Sequence, residues 1–139
     1  MIRRKLNLNN GSTEGHNKLS LKLLIYAAGA CTLIGGILHV LVASNAIGLN
    51  FPVGVFFLVA GVAQVFWSLP MVRTWGKVWY VIGLGGTVIL IAIWLIAITP
   101  GNPITERTVP VEGWGISIAV FEITFIILCA IIITRIRIA

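Results

Sequence analysis

His39, Gln64 and Glu122 are polar side chains set inside strongly apolar stretches, and they are the ones with chemistry to offer. An imidazole gives and takes a proton near neutral pH, and a carboxyl can exchange that proton. An amide donates to one neighbour while accepting from another. Brought together, the three would make a buried proton-handling or hydrogen-bonding cluster. Thr87 and Trp94, on a further apolar stretch, are expected to help wall it. One imidazole, one carboxyl and one amide fall short of a metal-ligand set, so no metal is assigned. No nucleophile triad, phosphate loop, CxxC or CxxCH accompanies them, which leaves no catalytic residue and no cofactor to name.

The elements that must position these groups are apolar helices. Leu21–Ser44, Pro52–Val72, Val78–Ile98 and Trp114–Thr134 each reach the roughly 20 residues needed to cross a hydrocarbon core of about 30 Å. With 58% hydrophobic and 10% charged residues, the chain has more apolar surface than a soluble core of 139 residues could hide. The runs lack the alternating polar face of a barrel strand, and in lipid only helices or closed barrels satisfy the backbone. The expected fold class is all-α, an integral membrane four-helix bundle occupying residues 21–139. Residues 1–20 are expected to form a basic tail, unordered because Asn9–His16 is rich in Asn, Gly, Ser and Thr with no apolar period. The first run is too long for the apolar region of a cleaved signal peptide.

Charge gives a topology. Every Lys and Arg except Arg107 precedes or opens the first run, follows the second, or follows the fourth. The positive-inside rule then places both termini and the Arg73–Lys77 turn in the cytoplasm, with Asn45–Asn50 and Thr99–Gly113 outside a plasma membrane. Anionic headgroups account for the formal charge of +6 without a nucleic-acid partner. Trp75, Trp79, Tyr80 and Trp114 stand at run ends, where aromatic side chains anchor at the interface. Asn50 and Pro52 are suited to cap and open the second helix. Pro100, Pro103 and Pro110 should stiffen the Thr99–Gly113 loop into a shaped lid, with Glu106, Arg107 and Glu112 solvated on it.

Helical rise and period bring the cluster together. At 1.5 Å per residue, His39, Glu122 and Gln64 lie about 8, 13 and 18 Å below the outer helix ends, within one slab. His39 shares a face with Ala28, Thr32, Gly35, Gly36 and Ala43, a stripe of small residues that lets helices approach closely. Gln64 aligns with Phe57, Ala60, Gly61 and Ser68, and Glu122 with Gly115, Ala119, Phe125 and Cys129. A carboxyl at that depth costs a few kcal/mol when charged, so it should face the bundle interior and a partner. The simplest role for such a cluster is to fix helix register, at about 0.6 kcal/mol per hydrogen bond. Cys31 and Cys129 read as small, soft packing residues.

Several of these residues also carry a likeness. His39, the run Gly54–Gln64, Trp94, Thr99-Pro100-Gly101-Asn102-Pro103, Pro110-Val111 and Glu122 resemble a family of small four-helix membrane proteins of bacteria and archaea that has no settled activity. The likeness runs from about Gly36 to the end of the fourth helix. It implies the same fold and the same polar residues. The chain departs from that pattern at Ile98, where the resemblance implies an arginine, and at Gly115, where it implies an aspartate. The loop after the first helix also lacks the acidic and histidine residues of the family. These losses thin out polar groups near the outer mouth and count against a catalytic or metal site.

The expected function is therefore that of a non-catalytic accessory or scaffolding subunit of a larger membrane complex, such as a respiratory or monooxygenase assembly. The bilayer and other membrane subunits, or further copies of the chain, are the expected partners. Gly83, Gly85 and Gly86 would offer a small-residue surface for them. One alternative is a small proton-coupled transporter or channel using His39 and Glu122. Another is a membrane redox or quinone-handling protein, for which a lone membrane histidine is a poor start.

Overall fold

The computed structural model describes residues 2–101, 103 and 113–138, with side chains given for residues 15, 17–101, 103 and 113–136. It consists of four α-helices, α1 (Ile2–Leu49), α2 (Phe51–Val72), α3 (Lys77–Ala97) and α4 (Gly113–Ile138). No strand occurs among the described residues. All four are long and apolar enough to cross a membrane, over Asn17–Leu49, Phe51–Val72, Lys77–Ala97 and Gly113–Ile136.

Two helix boundaries differ from those expected. Helix α1 continues back to Ile2, through the stretch read as an unordered tail. Gly15, Asn17, Lys18 and Leu19 are exposed there. At the other end α1 runs on to Leu49, and the expected Asn45–Asn50 loop shrinks to Asn50 alone. Asn50 is extended (φ −152°, ψ 100°), and its side chain accepts from the Val53 amide at 3.4 Å, with Pro52 in the first turn of α2. A single capping residue suffices because Gly54 lets α2 fold back directly onto the backbone of Ile47.

Successive helices surround a common axis. Helix α1 packs most closely on α2, then on α4, while α3 closes the ring with a moderate contact to α4 and a sparse one to α2. The α1–α2 seam depends on Gly36 and Gly61. A Cβ on Gly36 would come within 2.8 Å of the Gly61 carbonyl oxygen, and one on Gly61 within 2.7 Å of the Gly36 carbonyl oxygen. The two backbones therefore touch, as small residues permit. Below this seam Ile25, Ala28, Met71, Tyr80, Phe125, Cys129 and Ile132 form the apolar core at the Arg73 end. Cys129 is buried there and Cys31 half-buried, both as free thiols.

The Arg73–Gly76 turn is tight. Thr74 (φ 52°) and Gly76 (φ 126°) take left-handed backbone, unusual for a β-branched residue and natural for glycine. The aromatic groups around this turn divide into two kinds. Trp75 is exposed and meets Trp79 edge-on at 5.4 Å, in keeping with an interfacial position. Tyr80, read as an anchor, is instead only 1% exposed and donates its hydroxyl to the Met71 carbonyl at 3.0 Å. It locks the start of α3 to the end of α2. Trp67, which the sequence reading did not single out, packs against Trp79 with the rings tilted by 49° and their centroids 5.0 Å apart, and donates to its carbonyl at 3.1 Å. Arg135 donates to Ser20 at 2.8 Å, tying α4 to α1 at the same end. Glu106, Arg107, Pro110 and Glu112, on which the lid reading rests, lie outside the described residues.

Candidate functional site

The polar groups meet on the axis. Helices α2 and α4 lie on opposite sides of the ring, yet Gln64 Nε2 donates to Glu122 Oε1 at 2.9 Å, a bond across the bundle diagonal. His39 enters from α1 with Nε2 3.8 Å from the same Glu122 oxygen. That is too long for a direct hydrogen bond. His39, Gln64 and Glu122 are 4, 7 and 5% exposed, so the bundle encloses all three.

The local partners follow from helical spacing. His39 Nδ1 lies 3.0 Å from the carbonyl oxygen of Gly35, one turn earlier. A carbonyl only accepts, so Nδ1 carries the hydrogen, and Nε2 is the nitrogen left to exchange a proton towards Glu122. Phe57 of α2 packs against the imidazole with ring centroids 5.6 Å apart. Thr32 donates to the Gln64 carbonyl at 3.3 Å and so ties α1 to α2 next to the cluster. Gly35 leaves room for the amide, since a Cβ there would stand 3.4 Å from Gln64 Oε1. Among the described residues, that Oε1 is the buried side-chain polar atom with no hydrogen-bond partner. Such an orphan is uncommon and costs about 1–3 kcal/mol.

The two wall residues separate. Thr87, buried on α3, lines the same narrow gap as Gln64 and Glu122 and donates its hydroxyl to Gly83 at 2.9 Å. Trp94 does not line that gap. It lies against Gly115, where an added Cβ would come 3.2 Å from its Nε1, two turns along α4 from Glu122. A side chain at position 115 would therefore press on the Trp94 indole. Thr32, Gly35 and Phe57 were visible in the sequence only as members of the apolar stripes. Their roles depend on which carbonyl or ring each one meets, which periodicity does not specify. The glycines of α3 also separate: Gly83 is pressed against Trp67, whereas nothing lies within 4 Å of a Cβ at Gly85 or Gly86.

Chemically, the cluster can hold helices in register and can share a proton between His39 and Glu122. Among the described residues no group of three or more His, Cys, Asp or Glu side chains could hold a metal ion. Fold and site together define a class by architecture, an all-helical bundle of membrane-crossing length with a polar centre. No family model, no curated protein and no solved structure matches the chain.

Proposed function

We propose that the protein is a non-catalytic accessory subunit of a larger complex in the plasma membrane, inserted with both termini in the cytoplasm. The observation that carries this reading is the state of α3. Only 11% of its apolar span is buried inside the bundle, against 28–39% for the other three. Its buried residues are Tyr80, Gly83 and Thr87, while Val78, Val81, Val88, Ile89 and Ile96 are exposed. Lipid can cover such a face, but a partner helix packs it more densely. The polar cluster then has a structural task, fixing the register of α1, α2 and α4 so that α3 presents a defined surface. Placement of the Arg73 end in the cytoplasm is supported by Lys22, Arg73, Lys77 and Arg135, which all stand at that end. The motif residues shared with the small four-helix family support the same architecture.

The test is extraction of the native protein in mild detergent, followed by native electrophoresis and mass spectrometry. Co-migration with defined membrane enzyme subunits is expected. A lone monomer would overturn the accessory reading and turn attention to proton flux through His39 and Glu122.

A further inference from the structure

Helices α2 and α3 make the sparsest contact of the packed pairs, and a groove of about 320 Å³ opens between them. On α2 it runs from Phe56 to Trp67 and on α3 from Ile82 to Leu90, about 16 and 12 Å at 1.5 Å per residue. It is elongated along the helices, and Val59, Ile82 and Gly86 of its lining are exposed. Val81, Val88 and Ile89, on the α3 face assigned above to a partner, do not line it.

The side-chain donors of the lining are already committed. The Thr32 hydroxyl donates to the Gln64 carbonyl, the Thr87 hydroxyl to the Gly83 carbonyl, the Trp67 indole to the Trp79 carbonyl and the Gln64 amide to Glu122. Gln64 Oε1 lies against Gly35, which is outside the groove. An occupant is therefore matched by apolar surface alone, as hydrocarbon is.

Charge selects which hydrocarbon. The turn that joins these same two helices carries Arg73 and Lys77, with exposed Trp75 between them. Neither cation has an ion-pair partner among the described residues. A guanidinium fork matches two phosphate oxygens, an ammonium adds a point charge, and an indole favours headgroup depth. Along the helices Arg73 stands about 9 Å beyond Trp67, and Lys77 about 7.5 Å before Ile82. A headgroup layer is about 5–8 Å thick on each side of the hydrocarbon core. A phosphate on the turn thus brings its glycerol backbone to the near end of the groove and a chain into it. Between the two the chain exposes Leu69, Val72 and Val78, all apolar. A partner helix would also fill the walls, but it would need an acidic group set at one headgroup depth, which every anionic phospholipid has by construction.

We propose that the α2–α3 groove and the Arg73–Lys77 turn form one binding site for an anionic phospholipid, an acyl chain lying between Phe56 and Trp67 and the phosphate on Arg73 and Lys77. This rests on the bilayer placement proposed above and is independent of the accessory role.

Co-elution of the full chain with phosphatidylcholine nanodiscs is checked first, and its failure would overturn the bilayer placement and the site with it. Native mass spectrometry then counts the lipids retained as phosphatidylglycerol, or phosphatidylcholine with the same chains, is titrated into the full chain in mild detergent. One phosphatidylglycerol is expected to bind at least tenfold more tightly than phosphatidylcholine. Arg73→Gln with Lys77→Gln, at the headgroup, and Gly86→Leu, whose side chain enters the groove without meeting an atom within 4 Å of its Cβ, should each weaken that binding at least tenfold. Lys22→Gln, at the same end but on α1, which makes no contact with α3, should bind like the parent, as should Gly85→Leu, equally uncrowded but off the groove. Equal affinity for the two lipids, an equal loss in Lys22→Gln, or displacement by inorganic phosphate at the lipid's concentration would overturn the site. Undiminished binding by Gly86→Leu would overturn the groove as the seat of the chain, the result expected if a partner helix occupies it.

Discussion

The seam between α1 and α2 and the gap between α2 and α3 are built on opposite principles, although both lie on α2. At the seam, Gly36 and Gly61 bring two backbones into contact, Thr32 adds a hydrogen bond to the Gln64 carbonyl, and His39 adds a ring contact with Phe57. Across the gap, helices with equally apolar composition stay apart, joined at the Arg73 end by Tyr80, Trp67 and Trp79 and open above them. Hydrophobicity does not separate the two cases, since in lipid it drives insertion but supplies little force between helices. What separates them is whether small residues face each other. Gly36 meets Gly61, whereas Gly83 meets the indole of Trp67, which acts as a spacer.

The sharpest way to break this comparison is to make one substitution in both regions. Gly61→Ala should destabilise the bundle by about 3 kcal/mol, because the new methyl meets the Gly36 carbonyl oxygen and the Val40 amide, which are backbone and cannot swing away. Gly86→Ala, at the gap, meets nothing within 4 Å and should be neutral or stabilising by up to about 1 kcal/mol through helix propensity. Unfolding of both variants in mixed micelles with increasing dodecyl sulfate gives the two values. Equal effects would mean that the α1–α2 seam is not the stable half of the molecule.

The next effect concerns the diagonal tie that spans both regions. Glu122→Leu removes the acceptor of Gln64 Nε2 and should cost about 1–2 kcal/mol. Glu122→Gln keeps an oxygen in place and should cost less than about 0.5 kcal/mol. The same micelle titration checks both. If the two variants were equally destabilised, the charge or proton of Glu122 would matter more than the hydrogen bond, and a proton-handling role would gain over a structural one.

Much of this was legible in the sequence, for identifiable reasons. Long apolar runs have one stable form in lipid, so the helices and their approximate ends followed from length alone. Depth follows from a fixed rise, which is why His39, Gln64 and Glu122 could be placed in one slab. The same arithmetic, carried to the third helix, puts Thr87 about 15 Å and Trp94 about 5 Å from its outer end, and so separates Trp94 from Glu122. That step was within reach. The burial of Tyr80 was not, because an aromatic residue one turn inside a helix start looks the same whether it faces headgroups or locks a turn. Nor could composition reveal that Trp67 spaces α2 from α3, since its consequence depends on Gly83 standing opposite. The length of α1 beyond Ser44 was hidden for a related reason: Asn45 and Asn50 both look like loop residues, and only the close fit of Gly54 on Ile47 selects Asn50 as the turn.

A single hydroxyl locates the boundary between the two regions. Tyr80→Phe removes one hydroxyl, whose bond to the Met71 carbonyl is the buried polar tie between α3 and α2, and should cost about 1 kcal/mol. Because Tyr80 stands at the Arg73 end, that loss should loosen α3 locally rather than the bundle as a whole. Hydrogen exchange in micelles should therefore quicken for amides of residues 81–86 and remain unchanged for residues 57–65 along the glycine seam. Quickening confined to α3 would place it outside the cooperative unit formed by α1, α2 and α4, which is the arrangement expected of a helix that waits for a partner. Quickening across both segments would mean that the gap is bridged energetically despite its open geometry, and α3 would then belong to the same rigid body as the seam.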